Sequence, residues 1–248
     1  IIAYILIKGI PNISPSLFEW NYNSTNVSIM PALISTLFTI LLTLLITLPI
    51  GIFTAIYLSN YAKNKTFIKI VRFATEILSS IPSIVYGLFG YLFFVSKADY
   101  GLGMGYSLIA GCLTVAIMIL PTIIRTTEEA ILTVNPLQAH ASLALGATKI
   151  QTIFKIVIPE AMDGILGGIF LATGRIVGES AALIYTMGTQ PAMPKGISNS
   201  VRTLAVHMYM LSSEGFHVNE AYATAVLLLV FVIIINWISS RITKRLVN

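Results

Sequence analysis

Two ionisable residues stand where ionisable residues are costly: Arg175 and Glu179, in the stretch ATGRIVGESAALIYTMG. An Arg at the middle of a membrane span costs roughly 2.5 to 3.5 kcal/mol on insertion scales, so its presence in an apolar run needs a reason. Four residues apart, the two share one face of a continuous helix, although Arg before Glu is the less favourable order for such a pair. Two roles compete. A buried ion pair would fix helix packing; alternatively the pair, with Ser180 beside it, lines a polar pathway, the usual meaning of intramembrane charge. A guanidinium in a pathway favours an anion, and its fork of donors suits phosphate or sulfate. Gly174 and Gly178, also four apart, are expected to permit close helix approach on the adjoining face. Covalent chemistry finds no support, since H-E-x-x-H, G-x-S-x-G and G-x-x-x-x-G-K-[ST] are all absent. The single cysteine, Cys112, lies inside an apolar run, and His207 and His217 have no Cys or carboxylate at ligand spacing. No metal site is expected.

The elements that must carry these residues follow from composition. The chain is 56% hydrophobic and 10% charged, with a mean hydropathy of +0.86. A soluble domain is typically about 25% charged, so this is an integral membrane protein. Apolar runs long enough to approach the roughly 20 residues of a span occupy about 31–59, 78–96, 106–125, 162–187 and 221–240. Residues 1–10 are apolar but too short to cross, and are expected to be the end of a sixth span truncated at its N-terminus. The expectation is one all-α transmembrane domain over 1–248. Ten of the fifteen basic residues fall on one side of those spans, among them Lys63, Lys65, Lys69 and Arg72, then Lys149 and Lys155, then Arg241, Lys244 and Arg245. The positive-inside rule makes that side cytoplasmic, with loop 126–161 and the C-terminus inside and loop 188–220 outside. The net charge of +5 therefore reads as topology, and nucleic acid is not an expected partner. Residues 61–77 place Phe67, Ile70, Val71 and Ala74 on one face and Lys65, Lys69 and Arg72 largely on the other, an elbow on the membrane surface.

Loop 126–161 has its own folding signals. Asn135-Pro136 supplies an N-cap and an N1 proline, Gly146 suits a left-handed C′ position, and Thr148 with Gln151 reads as a capping box. Two short helices follow. In the second, Ile150, Ile153, Phe154 and Val157 recur at helical spacing, with Lys149, Thr152 and Lys155 opposite.

The spacing of Gly146, Ile156 and Pro159 resembles the EAA loop by which bacterial ABC-transporter permeases grip their ATPase: EAA, three residues, Gly, nine residues, then I-x-L-P. Ala141, Gly146, Ile156 and Pro159 match it; Ser142 and Ile158 are mild changes, and His140 replaces the usual Glu. Leu145 and Ala147 flank the glycine. Over nearly the whole chain, PSIVYGLFG (Pro82 to Gly90), GRIVGES (Gly174 to Ser180) and SVRTLAVHMY (Ser200 to Tyr209) look like phosphate ABC-transporter permeases of the PstA type. The resemblance implies a six-helix MetI-like permease core in the bacterial inner membrane. It further implies a homologous second permease (PstC type), two ATP-binding subunits (PstB type) that hold the ATP and Mg, and an extracytoplasmic phosphate-binding protein (PstS type). By the same resemblance Arg175 and Glu179 take part in transport, and the chain itself is no enzyme and binds no cofactor. Its alternatives are a permease for another oxyanion, such as sulfate or molybdate, and an ion-coupled secondary transporter. The latter typically shows paired broken helices in two related halves, which are not seen here.

Overall fold

The computed structural model describes residues 1–97 and 100–247. Among them there is no strand. The helices are α1 (Ile2–Gly9), α2 (Met30–Ile56), α3 (Lys65–Ser80), α4 (Ser83–Gly90), α5 (Leu108–Thr133), α6 (Pro136–Ala144), α7 (Lys149–Thr152), α8 (Ile158–Glu160), α9 (Met162–Gly178), α10 (Ala181–Thr186), α11 (Leu204–Glu214) and α12 (Val218–Val247). π-helical turns at Tyr57–Tyr61, Tyr91–Val95 and Ile153–Val157 prolong α2, α4 and α7.

Among the described residues three helices are long and apolar enough to cross a membrane: Met30–Tyr61, Leu108–Thr133 and Val218–Ile238. Two bent pairs pass the same test together, Lys65–Ser80 with Ser83–Val95 at 98° and Lys149–Glu160 with Met162–Gly178 at 65°. The sharper bend falls at Ile81-Pro82. Pro82 is extended (φ −60°, ψ 142°), and a proline disfavours the helical conformation of the residue before it. Within the long apolar helices the hydroxyls bond inward: Ser35, Thr36 and Thr39 each donate to the carbonyl four residues back, at 2.8, 2.7 and 2.7 Å. Lipid offers no partner, so a span tolerates hydroxyls that its own backbone satisfies. This polyhelical membrane architecture is the fold class expected from composition.

The described residues form two compact units. The first takes residues 1–46, 81–118 and 173–235; the second takes 47–80, 119–172 and the chain from Asn236 onward. In the first, α4 lies close on α10 and α5: a Cβ on Gly87 would fall 2.9 Å from Ala182 Cα, and one on Gly90 2.2 Å from Thr114 Oγ1. The N-terminus of α5 is tied down by segment 188–203, with Leu108 N–H donating to Asn199 O and Ile109 N–H to Ile197 O, both at 2.9 Å. These are donors that the helix cannot satisfy internally. The stretch 188–220 is not loop throughout, since it carries α11. His217 Nδ1 lies 3.7 Å from Glu220 Oε2, so a carboxylate does stand at helical spacing from this histidine, contrary to expectation.

In the second unit Ile56, Ala130, Ile131, Ile153, Val157, Ala161 and Ile165 form one core. Arg72 holds Glu128 from α3, with Nε at 3.0 Å and Nη2 at 2.6 Å from Oε1. Close packing of α9 on α5 occurs at Gly164 and Gly168, where a Cβ would meet Ala130 Cβ at 2.5 Å and Thr126 Oγ1 at 2.1 Å. The glycines expected to pack, Gly174 and Gly178, have nothing within 4 Å of such a Cβ. Within this chain the close approach therefore falls at the earlier pair, which small residues on α5 face. Gly168→Ala should destabilise the purified chain by about 1–3 kcal/mol, the usual cost of overpacking, while Gly174→Ala should be neutral or mildly stabilising. Detergent melting curves in which the two variants coincide would contradict this assignment.

Candidate functional site

The loop after α5 is built by its caps. Asn135 Oδ1 accepts the Leu137 N–H at 3.0 Å with Pro136 at the first helical position. At the other end of α6, Gly146 adopts φ +84°. Its N–H reaches Leu143 O at 3.0 Å, and the Ala147 N–H reaches Ser142 O at 3.2 Å. This pair of bonds is the Schellman motif, which satisfies the last carbonyls of a helix and favours glycine at the left-handed position. Thr148 and Gln151 complete a capping box on α7. Each of these caps was legible in the sequence.

The buried face of the second loop helix is not the expected one. Ile153 and Val157 enter the core, but Ile150 and Phe154 are exposed and Thr152 is buried. The cause is the π turn at Ile153–Val157, whose wider winding swings the inward face back toward Thr152. Thr152 is satisfied there by Ser142, with the two hydroxyl oxygens 3.0 Å apart. Lys149 also differs from a merely solvated lysine: it donates to the carbonyl of Asn60 and lies 4.5 Å above the Tyr61 ring. A cation at a helix C-terminus is favourable, so the loop is fastened to the end of α2. His140, Ala141, Leu145, Gly146 and Pro159 are exposed, while Ser142, Ala147 and Ile156 are half-buried. Leu137, Leu143, Leu145, Ile150 and Phe154 together leave a large apolar area uncovered, Leu145 being 89% exposed.

The charged stretch in the first unit departs from a continuous helix. α9 ends at Gly178, and Glu179 and Ser180 lie outside it before α10 begins. Glu179 is buried, and its Oε1 accepts the Ala182 N–H at 3.0 Å. The carboxylate thus competes for main-chain donors and starts the next helix. Arg175 and Glu179 do not share a helix face, and among the described residues no salt bridge joins them. Arg175 is half-buried, and its charge acts on Tyr86 of α4, a residue that spacing along one segment could not connect to it. Gly178 and Ser180 open on a mostly apolar cavity of about 390 Å³, which Ala205, Tyr209 and Tyr222 also line.

An all-helical membrane fold with a capped, apolar-faced loop between its spans is the arrangement expected of a transporter permease. The chain matches the family of binding-protein-dependent transport system inner membrane components over residues 47–248, and it belongs to that family. Within it the chain is similar to PstA-type permeases. It is 34% identical to the phosphate transport system permease protein PstA of Haemophilus influenzae over 240 residues, covering 95% of this chain and 83% of that one. It is 36% identical over 207 residues to the probable ABC transporter permease protein YqgI of Bacillus subtilis, covering 75% of this chain and 69% of that one. An inward-facing structure of the MetNI methionine ABC transporter matches all of this chain and 98% of its own, with a TM-score of 0.63 and 18% identity, which speaks for the fold.

Gly146→Val places a β-branched residue at φ +84°, where strain costs of order 1–3 kcal/mol. The variant should insert in the membrane at normal abundance, while limited proteolysis cuts the loop between α6 and α7 faster. An unchanged cleavage pattern would show that this cap does not shape the loop.

Proposed function

We propose that this chain is one permease half of an ATP-driven phosphate importer, and that it performs no chemistry itself. The observation that carries the reading is its likeness to PstA-named permeases over most of its length, together with an intramembrane arginine that forms no salt bridge among the described residues. An unpaired guanidinium in an apolar setting attracts a doubly charged oxyanion more strongly than a paired one does. The partners are a homologous permease, two ATP-binding subunits and an extracytoplasmic binding protein. The exposed apolar area around Leu145, Ile150 and Phe154 suits a cytoplasmic ATPase, and the loop's attachment to α2 through Lys149 carries its movement to the spans. ATP binding closes the ATPase pair and shifts the loop, which changes the side to which the cavity opens. Phosphate then passes Arg175. Glu179 holds the helix break open as the start of α10, and Gly174 and Gly178 leave room beside the arginine.

The deciding experiment is ATP-dependent phosphate uptake by vesicles holding the reconstituted complex. Arg175→Met should assemble and hydrolyse ATP yet move no phosphate, and Arg175→Lys, which keeps charge but loses the bidentate fork, should retain partial uptake at most. Glu179→Gln preserves the acceptor for Ala182 and should transport better than Glu179→Leu. Normal uptake by Arg175→Met at matched abundance would remove the arginine from the pathway.

Orientation has an independent check. Cysteines placed at Lys65 and Lys149 should react with impermeant reagents only from the cytoplasm, and one at Ser198 only from outside. The opposite pattern would separate the loop from any cytoplasmic ATPase.

A further inference from the structure

Five buried side-chain nitrogen and oxygen atoms without a hydrogen-bond partner sit on three residues of the first unit: Arg202 Nε and Nη2, Thr203 Oγ1, and His207 Nδ1 and Nε2. Buried polar groups are partnered in roughly nine cases of ten, so this concentration between Arg202 and His207 marks a place. Arg202 is 4% exposed and its neighbours less. The two orphaned atoms of Arg202 form the Nε–Nη2 edge, whose parallel donors match two oxygens of one oxyanion. Thr203 is the N-cap of the 11-residue α11, and its hydroxyl makes no cap bond. The positive end of a helix therefore lies beside that edge; Thr36 Oγ1 takes its Leu204 N–H at 2.8 Å, and the next first-turn N–H groups, of Ala205 and Val206, lack intrahelical acceptors. Burial, and after it the charge of Arg202, pull His207 down to about 3. Its ring is thus neutral and keeps one N–H to donate. The Val27 main chain approaches that ring without completing a hydrogen bond.

One element covers these donors. The Tyr22 ring lies 4.8 Å from Arg202 Cζ and stands edge-on to His207 with centroids 6.1 Å apart. Five residues along the same segment, Val27 has φ +44°, a strained conformation for a β-branched residue. The carboxylate whose charge reaches Arg202 is Glu214, and among the described residues no salt bridge joins the two.

We propose that Arg202, Thr203, His207 and the N-terminus of α11 form a second oxyanion site, separate from Arg175, that takes one tetrahedral anion of the phosphate class beneath Tyr22. Tyr22 must lift for the anion to enter, and relaxation of Val27 favours that movement. The identity of the anion rests on the phosphate reading above; the donor set rests on its own geometry. By the topology proposed above, the site lies on the outer side, where an anion enters before it meets Arg175.

The test uses the membrane complex of permeases and ATP-binding subunits, without the extracytoplasmic binding protein, in phosphatidylcholine nanodiscs, in an Arg175→Met background, with inorganic phosphate as the probe. Saturable phosphate binding and a rise in Tm with phosphate are expected, since a ligand of the folded state stabilises it. Arg202→Met should weaken binding by about tenfold or more and lose the Tm response, and Arg202→Lys should fall between the two. Burying a charge without an ion-pair partner is costly, so without phosphate the Met variant should melt no lower than its parent. A lower phosphate-free Tm, equal binding by the Met variant or no binding by the parent overturns the site. Competition by added phosphatidylglycerol overturns it too, by giving the donors to a lipid headgroup. Import by the wild-type complex alongside unaltered binding in Arg202→Met would sink this site and leave the phosphate reading standing; failure of import would sink that reading instead.

Discussion

A bilayer offers no hydrogen-bond partners, and the rest of this structure is arranged around that constraint. Every hydroxyl in the apolar helices needs an acceptor within the protein, and Ser35, Thr36 and Thr39 find one on their own backbone. Every charge needs a partner or a purpose. Glu128 has Arg72, and Glu179 has the main chain of α10. Arg175 has no ion-pair partner among the described residues, and that makes it the residue around which a transport reading is built.

The helix break at Gly178 shows how one constraint produces the site. Had α9 continued, Glu179 would face Arg175 across one turn and largely cancel it. The break turns the carboxylate away to cap the next helix, so a single carboxylate ends one element, begins another and leaves the guanidinium uncompensated. The same economy appears in the loop beyond α5, where Lys149 satisfies a terminal carbonyl of α2 and fixes the loop to a span. A movement imposed on that loop then has a physical route into the helices.

Local signals were legible in the sequence because they are local. Asn135-Pro136, Gly146 and Thr148 with Gln151 act within a few residues of themselves, and each forms the cap that its type predicts. The apolar runs and the basic residues between them likewise announce helices and a membrane, since twenty residues of one composition suffice. Partner choice across the fold was not legible. Gly164 and Gly168 look no different from Gly174 and Gly178 until α5 is seen to present Ala130 and Thr126 to the first pair only. The inward turn of Thr152 has no mark in the sequence, because its partner Ser142 stands ten residues away across the loop. Arg202 and His207 read as ordinary residues of a connecting stretch; only tertiary packing buries them together under Tyr22. The sequence by itself determined the caps of the loop helices and that the long apolar helices lie in a membrane, through short-range hydrogen bonding and composition. Tertiary structure alone decided which charges are neutralised and which stay available to an anion, because that depends on contacts between residues far apart in the chain.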